Sequence, residues 1–417
     1  MAAKPGGQTA AARIGSLKTS NARFSKAQTH HALAAKPHPF STSQTQRNPI
    51  MLILQTERDA LLKPLQTATG IVERKHTLPI LANVLLESKG GKVHILATDL
   101  EIQIHTQGAD SEQGDFQLTT NAKKLQDILR ALPENATVQL DLDEHKLTLK
   151  AGKSRFNLQT LPPADFPTMN ISETTHTQFS LPQETLKHMI NQVQYSMAVQ
   201  DIRYYLNGLL LQVEGNQLRL VATDGHRLAY ASTTIEAELA KQDVILPRKT
   251  VLELVKLLNQ PKEAIQIELL DNQVRFQCGD TTIVSKVIDG KFPDYNRVIP
   301  LDNDKIFVIN RATLLGALER SAILANEKFR GVRLQLAPGS LKITCSNSEQ
   351  EEASEELEIA YAGESLEVGF NIQFLMDVLR SANSDDIQIA FGDANRSTLI
   401  TLPNNAEFKY IVMPMRI

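Results

Sequence analysis

Asp224-Gly225-His226-Arg227 is the place in this sequence where acid, imidazole and guanidinium side chains crowd together. An aspartate and a histidine can trade a proton in general acid–base work if their side chains meet, although adjacency in sequence does not bring them together. No serine or cysteine nucleophile motif accompanies the pair. A hydrolase or transferase using Asp224 and His226 in an inter-domain cleft is therefore the alternative reading, not the leading one. Gly152-Lys153-Ser154 has the tail of a phosphate-binding loop, but Leu147 stands where that motif requires its first glycine. HExxH, GxSxG and GxGxxG patterns do not occur. Cys278 and Cys345 lie far apart in no CxxC spacing, which argues against a disulfide scaffold or a structural zinc site and suits a reducing cytosol. His30 and His31 have no convergent ligands. The chemistry points to no catalysis, no metal and no cofactor, and so to a binding protein.

What positions these residues is a repeat. A short strand, a cap and an amphipathic helix recur as Leu54-Gln-Thr-Glu-Arg-Asp-Ala-Leu61, Phe179-Ser-Leu-Pro-Gln-Glu-Thr-Leu186 and Phe307-Val-Ile-Asn-Arg-Ala-Thr-Leu314, at offsets of 125 and 128. A second helix recurs at Leu125, Leu252 and Leu375, offset by 127 and 123. Strands ending in a small polar turn recur at Ile95–Thr98, Leu220–Thr223 and Ile343–Ser346, offset by 125 and 123. Each third is itself doubled, since Leu181-Pro-Gln-Glu-Thr-Leu186 resembles Leu246-Pro-Arg-Lys-Thr-Val251 at a displacement of 65. The prolines suit the first helical turn, where the missing N–H has no intrahelical partner to lose. Pro64 falls inside the first helix and predicts a kink. Alternating runs such as Gln139–Leu142 and Lys146–Lys150 read as half-buried antiparallel strands.

The expected fold class is thus α+β, with three tandem pseudo-repeated domains, each a doubled β-α-β-β-β unit. The expected boundaries are 1–50 for a disordered N-terminal extension, then 51–172, 173–304 and 305–417. The first fifty residues carry seven basic residues and no acid, but no helical period, so they read as a tail or an over-extended start before Met51 rather than a transit peptide. No stretch approaches the roughly 18 apolar residues of a membrane span. Removing the tail's charge from the total of −3 leaves the body at −10, yet the six predicted helices together carry +5. Six such units around an axis would set basic helices inside and acidic sheets outside, a wall that attracts phosphates without reading bases.

From Met51 to Ile417 the chain closely resembles the bacterial DNA polymerase III β subunits, the sliding clamps. Thr77-Leu-Pro-Ile-Leu81, Arg203-Tyr-Tyr-Leu-Asn-Gly208, Val221-Ala-Thr-Asp-Gly-His-Arg-Leu228, Asp289-Gly-Lys-Phe-Pro-Asp-Tyr295, Asn326-Glu-Lys-Phe-Arg-Gly-Val332 and Val412-Met-Pro-Met-Arg416 carry the likeness. The resemblance implies a cytoplasmic head-to-tail homodimeric ring of clamp domains around double-stranded DNA, helices lining the hole and antiparallel sheets outside. It implies partners in the DNA polymerase III alpha subunit, the clamp loader, and other polymerases and repair proteins. It implies a peptide groove at Leu206, Thr223, Gly225, His226, Arg227, Leu228, Pro293, Arg297, Val298, Ser397, Ile411, Val412, Met413, Pro414 and Met415. Asn395 beside that groove is more polar than the family usually has. It implies DNA contacts at Lys75, Gln200, Arg203, Tyr204, Tyr205, Arg248 and Lys249, and subunit contacts at Phe156, Ile323 and Leu324. A scaffold that binds proteins but not DNA is the remaining possibility, separable by DNA retention.

Overall fold

The computed structural model describes residues 51–73, 78–143 and 145–416. The basic tail, His30, His31 and Lys75 lie outside them. Among the described residues there are six α-helices: α1 (Arg58–Thr69), α2 (Ala122–Ala131), α3 (Gln183–Val193), α4 (Arg248–Leu257), α5 (Arg311–Ala322) and α6 (Ile372–Ser381). All six coincide with the repeated units read from the sequence. Leu61, Leu186 and Leu314 are each the fourth helical residue and each is buried. The 3.6-residue period then carries one apolar stripe inward, as in α2, where Leu125 and Leu129 are buried with Ala122.

One alignment is off by a residue. Leu125 and Leu375 face the core, but Leu252 is 39% exposed, and its neighbour Val251 takes the inward place. The 65-residue doubling, which pairs Val251 with Leu186, is the register the fold obeys. Pro182 and Pro247 sit at the N-caps, one step before the first turn, where the missing N–H costs no helical bond. Asn121, Asn310 and Asn371 cap α2, α5 and α6 with their side-chain oxygens. Helix α1 runs on through Pro64. The sheet meets it there with Gly108, at which a Cβ would stand 3.2 Å from the proline ring.

The strands are antiparallel throughout. Thr137–Asp143 and Lys146–Ala151 pair as the alternation predicts, Gln139 opposite Lys150. Gly152 and Lys153 make the turn of the next hairpin, with Ala151 opposite Ser154 and Gly152 at φ 55°. The lysine that hinted at a phosphate loop is therefore a hairpin tip.

Sheets also run across the repeat boundaries. Strand Ile102–Asp110 of the first third pairs with Thr281–Lys286 of the second, Thr106 opposite Thr281. Strand Arg227–Pro247 of the second pairs with Asn405–Val412 of the third, Arg227 opposite Val412. Each junction joins the last strand of one third's first half to the last strand of the next third's second half. The remaining strands at the corresponding positions, Glu352–Glu358 and Ser154–Leu161, are not paired with each other. Glu352–Glu358 is the edge of its sheet, and Ser154–Leu161 bonds on its far side only through Thr160 and Leu161.

Candidate peptide groove and DNA-facing surface

The Asp224–Arg227 run is a turn at the mouth of the second junction. Thr223 Oγ1 donates to the Arg227 carbonyl at 2.6 Å and accepts from the Gly225 amide at 3.1 Å. Asp224 Oδ1 accepts from the amides of His226 and Arg227 at 2.9 and 3.1 Å, an aspartate folding its own loop. Its other oxygen meets Arg227 Nε at 2.9 Å. The carboxylate is thereby committed, and the exposed His226 ring stacks on Phe374 instead. No acid–base dyad forms. Burial pushes the thiols of Cys278 and Cys345 up to about 11, so they stay protonated and unreactive near neutrality.

Arg227 is the hub beneath the turn. Its side chain is 10% exposed, and it also reaches Asp377 of α6 at 2.6 Å and the Tyr195 carbonyl at 2.6 Å. The guanidinium lies 4.4 Å from the centroid of the Phe374 ring. Burial works against its charge, but Tyr410, Asp377 and Asp224 outweigh that and raise its pKa. The sequence placed Arg227 among the groove residues; the structure makes it a strut that fixes the groove wall to the third repeat.

Above this hub is a cavity of about 260 Å³. Nine of the fifteen groove positions line it: Leu206, Thr223, Gly225, Arg227, Leu228, Pro293, Val298, Ile411 and Met413. Of the others, exposed His226 and Arg297 stand apart from its lining, Val412 is buried in the strand pair with Arg227, and Ser397 and Pro414 are half-buried. Met415 lines a different cleft. Phe292 and Tyr295, which the groove assignment omitted, pack under it with Leu210, Val221, Leu228, Tyr230, Ile245 and Ile411. Their signal was the Phe-Pro-Asp-Tyr run, whose aromatics flank Pro293. Tyr295 donates to Gln212 Oε1 at 2.7 Å, and burial pushes its phenol up to about 12.

Two residues assigned to DNA also line this cavity, Arg203 and Tyr205. Asp201 holds Arg203 by two side-chain bonds of 3.0 and 2.8 Å, and Arg203 donates onward to the Asp224 carbonyl at 3.2 Å. Those bonds hold the Asp201 carboxyl down at about 2, so the bridge is complete above the ordinary carboxylate value and fails only as pH falls toward 2. Arg203 also dictates its neighbour: a Cβ on Gly225 would lie 2.9 Å from the guanidinium nitrogens, and Gly225 has φ 88°.

The remaining sites are scattered. Tyr204 is 58% exposed, and Gln200 stands exposed at φ 56° in the same loop. Arg248 is half-buried at the start of α4 and touches the Met197 carbonyl at 3.4 Å. Lys249 is not a free cation: it bridges Asp99 at 2.5 Å and Glu73 at 2.7 Å across the first junction. Ile323, just past α5, is 78% exposed, Leu324 is half-buried, and Phe156 is half-buried on the open strand Ser154–Leu161.

Fold and site together define a tandemly repeated α+β protein with an apolar groove between its second and third repeats and, among the described residues, no assembled catalytic group. Residues 52–170, 180–294 and 296–416 match the N-terminal, central and C-terminal domains of the DNA polymerase III beta subunit. A beta sliding clamp of Pseudomonas putida is 46% identical over 363 residues, 87% of this chain and 99% of the relative. A Pseudomonas aeruginosa sliding clamp bound to griselimycin superposes with a TM-score of 0.85 at 44% identity, covering 88% of this chain and all of that one. The Caulobacter crescentus polymerase III beta structure gives 0.83 at 38% identity over the same share of this chain. The chain belongs to the DNA polymerase III beta subunit family, the sliding clamps of DNA replication. It is a non-catalytic processivity component of the polymerase holoenzyme.

Proposed function

We propose that two copies of this chain close head to tail into a ring around duplex DNA, and that the cavity at Leu228 and Met413 holds peptide tails of replication proteins. One observation carries the ring. Two junctions are filled within the chain, and the third has both of its strands present but unjoined. A second copy supplies the complement of each, and a contact of that head-to-tail kind closes when each subunit turns the path through half a circle. The two edges are complementary. Glu352, Glu355, Glu356 and Glu358 lie on one, and Lys153 and Arg155 flank the other. Exposed Ile323 and half-buried Phe156 and Leu324 supply apolar contact.

Phosphate contact falls to cations on the helices, Arg248 among them, with exposed Gln200 and Tyr204 adding polar and stacking contacts. Lys249, already shared by two carboxylates, contributes less, and Arg203 and Tyr205 serve the groove. The groove's floor of Leu, Val, Ile and Met adapts to varied apolar side chains. Its occupants are the polymerase alpha subunit, the clamp loader, and other polymerases and repair proteins, all in the cytoplasm where the chromosome lies.

The deciding experiment loads the protein, with its clamp loader and ATP, onto a nicked circular plasmid and then cuts the circle. A ring stays on the circle and leaves upon linearisation. Retention that linearisation does not change overturns topological binding. Sedimentation at twice the 46.2 kDa chain mass checks the dimer.

A further inference from the structure

The connectors between repeats share a seat. In the first third, the segment after Leu161 starts beside strand Phe116–Asn121 and reaches strand Ile102–Asp110, where the Met169 amide bonds Gln103 Oε1 at 2.9 Å. It thereby crosses the outward face of the two strands between them, with Phe166 buried beneath it and Leu85 buried in the strand below. In the second third, the Ile288 amide bonds the Ile245 carbonyl at 2.9 Å, and Phe292 and Tyr295 then cover Leu210 and Val221 on the corresponding face.

The third repeat begins the same crossing. The Met415 amide bonds the Gly369 carbonyl at 2.8 Å, and Gly369 occupies the position of Ile245, two residues before the helix cap. Met415 and Arg416 line this face, which holds a cleft of about 680 Å³. Its floor differs in chemistry. Where the first two repeats have Leu85 and Leu210, this one has Arg333; where the first has His94, it has Lys342. Both are exposed. Arg333 touches Glu367 at 3.1 Å, while Lys342 and Arg416 make no ion pair among the described residues. Three cations and one carboxylate, Glu352, line the cleft.

We infer that this cleft is a seat for an extended acidic segment of a partner, continuous with the groove. The inference rests on the groove reading above. The scaffold already binds an extended chain at this place twice, and the exchange of leucine for arginine makes acidic side chains the complement. Met413 lines the groove and Met415 the cleft, so roughly 7 Å of extended chain, at about 3.3 Å per residue, separates the two. A partner whose apolar anchor fills the groove lays its acidic flank on Arg333 and Lys342.

The test uses the full chain and fluorescence anisotropy. The probes are labelled peptides with a Leu-Met-Phe anchor joined through two glycines to four glutamates, in both orders, and the same peptides with four glutamines. In one order the glutamate probe should bind about tenfold tighter than its glutamine control at low salt. The advantage should shrink as salt rises and vanish in the Arg333→Ser/Lys342→Ser double variant, which leaves the control unchanged. Amide shifts at Lys342 and Thr344 on adding free tetraglutamate read the cleft without the groove. Failure of the glutamine control to bind, with the tetraglutamate shifts intact, counts against the groove and not the cleft. Equal affinity of the glutamate and glutamine probes, or no shift with tetraglutamate, overturns the inference.

Discussion

The turns at Thr98–Ile102 and Thr223–Arg227 are built alike and used differently. In both, the threonine hydroxyl donates to the carbonyl four residues on, at 3.1 and 2.6 Å, and the aspartate gathers the following amides. In both, the residue after the aspartate adopts positive φ, 77° at Leu100 and 88° at Gly225. Both aspartates also accept a cation at a repeat junction. At the first junction it comes from α4, through Lys249. At the second it comes from the turn itself, through Arg227, and α6 answers with a second carboxylate, Asp377. Reversing which element carries the positive charge places a planar, bidentate donor under the second turn, where the first has buried Ile102. The same loop is thus a joint in one repeat and a groove wall in the next. The wall needs glycine because Arg203 occupies the space a side chain would take.

Exchanging residues between the two turns tests this. The largest effect belongs to Arg227→Ile, which gives the second turn the residue of the first. Asp224 and Asp377 lose their shared partner, and stability should fall by about 3–5 kcal/mol, as when one member of a buried pair is removed. Thermal and urea denaturation read it, and an unchanged melting point would mean that Arg227 is not the strut. Next comes Gly225→Leu, copying Leu100. It should cost about 1–3 kcal/mol through strain and the clash with Arg203, and weaken peptide binding more than tenfold by calorimetry. Lys249→Met should cost about 1 kcal/mol and leave peptide affinity within twofold; a large loss of affinity would show that the two junctions are coupled. The smallest effect is a gain. Leu100→Gly relieves a positive φ and should raise stability by up to about 1 kcal/mol, seen as a small rise in melting temperature.

The repeat was legible because its landmarks are buried leucines at fixed helical positions, which composition cannot disguise. Val251 and Leu252 show the limit. Two adjacent apolar residues fit either register, and only the packing of α4 against its sheet chooses. The groove was legible in part, since its floor lies on strands whose alternation is visible. That Arg203 and Tyr205 also line the groove was not legible, because nothing in Arg-Tyr-Tyr reveals that Asp201 turns the arginine toward Gly225. Lys249 reads as a free cation until a carboxylate 150 residues away meets it. Strand pairings across repeats are non-local and left no trace in any single segment.

The open strand Glu352–Glu358 has a consequence for a lone subunit. An unpaired edge is a template on which other strands can stack into aggregates. Here Glu352, Glu356 and Glu358 stand exposed along that edge. Two such edges repel one another, so identical copies are steered away from fibre-like stacking while the oppositely charged strand remains welcome. The acid along this rim acts as a gatekeeper against such stacking.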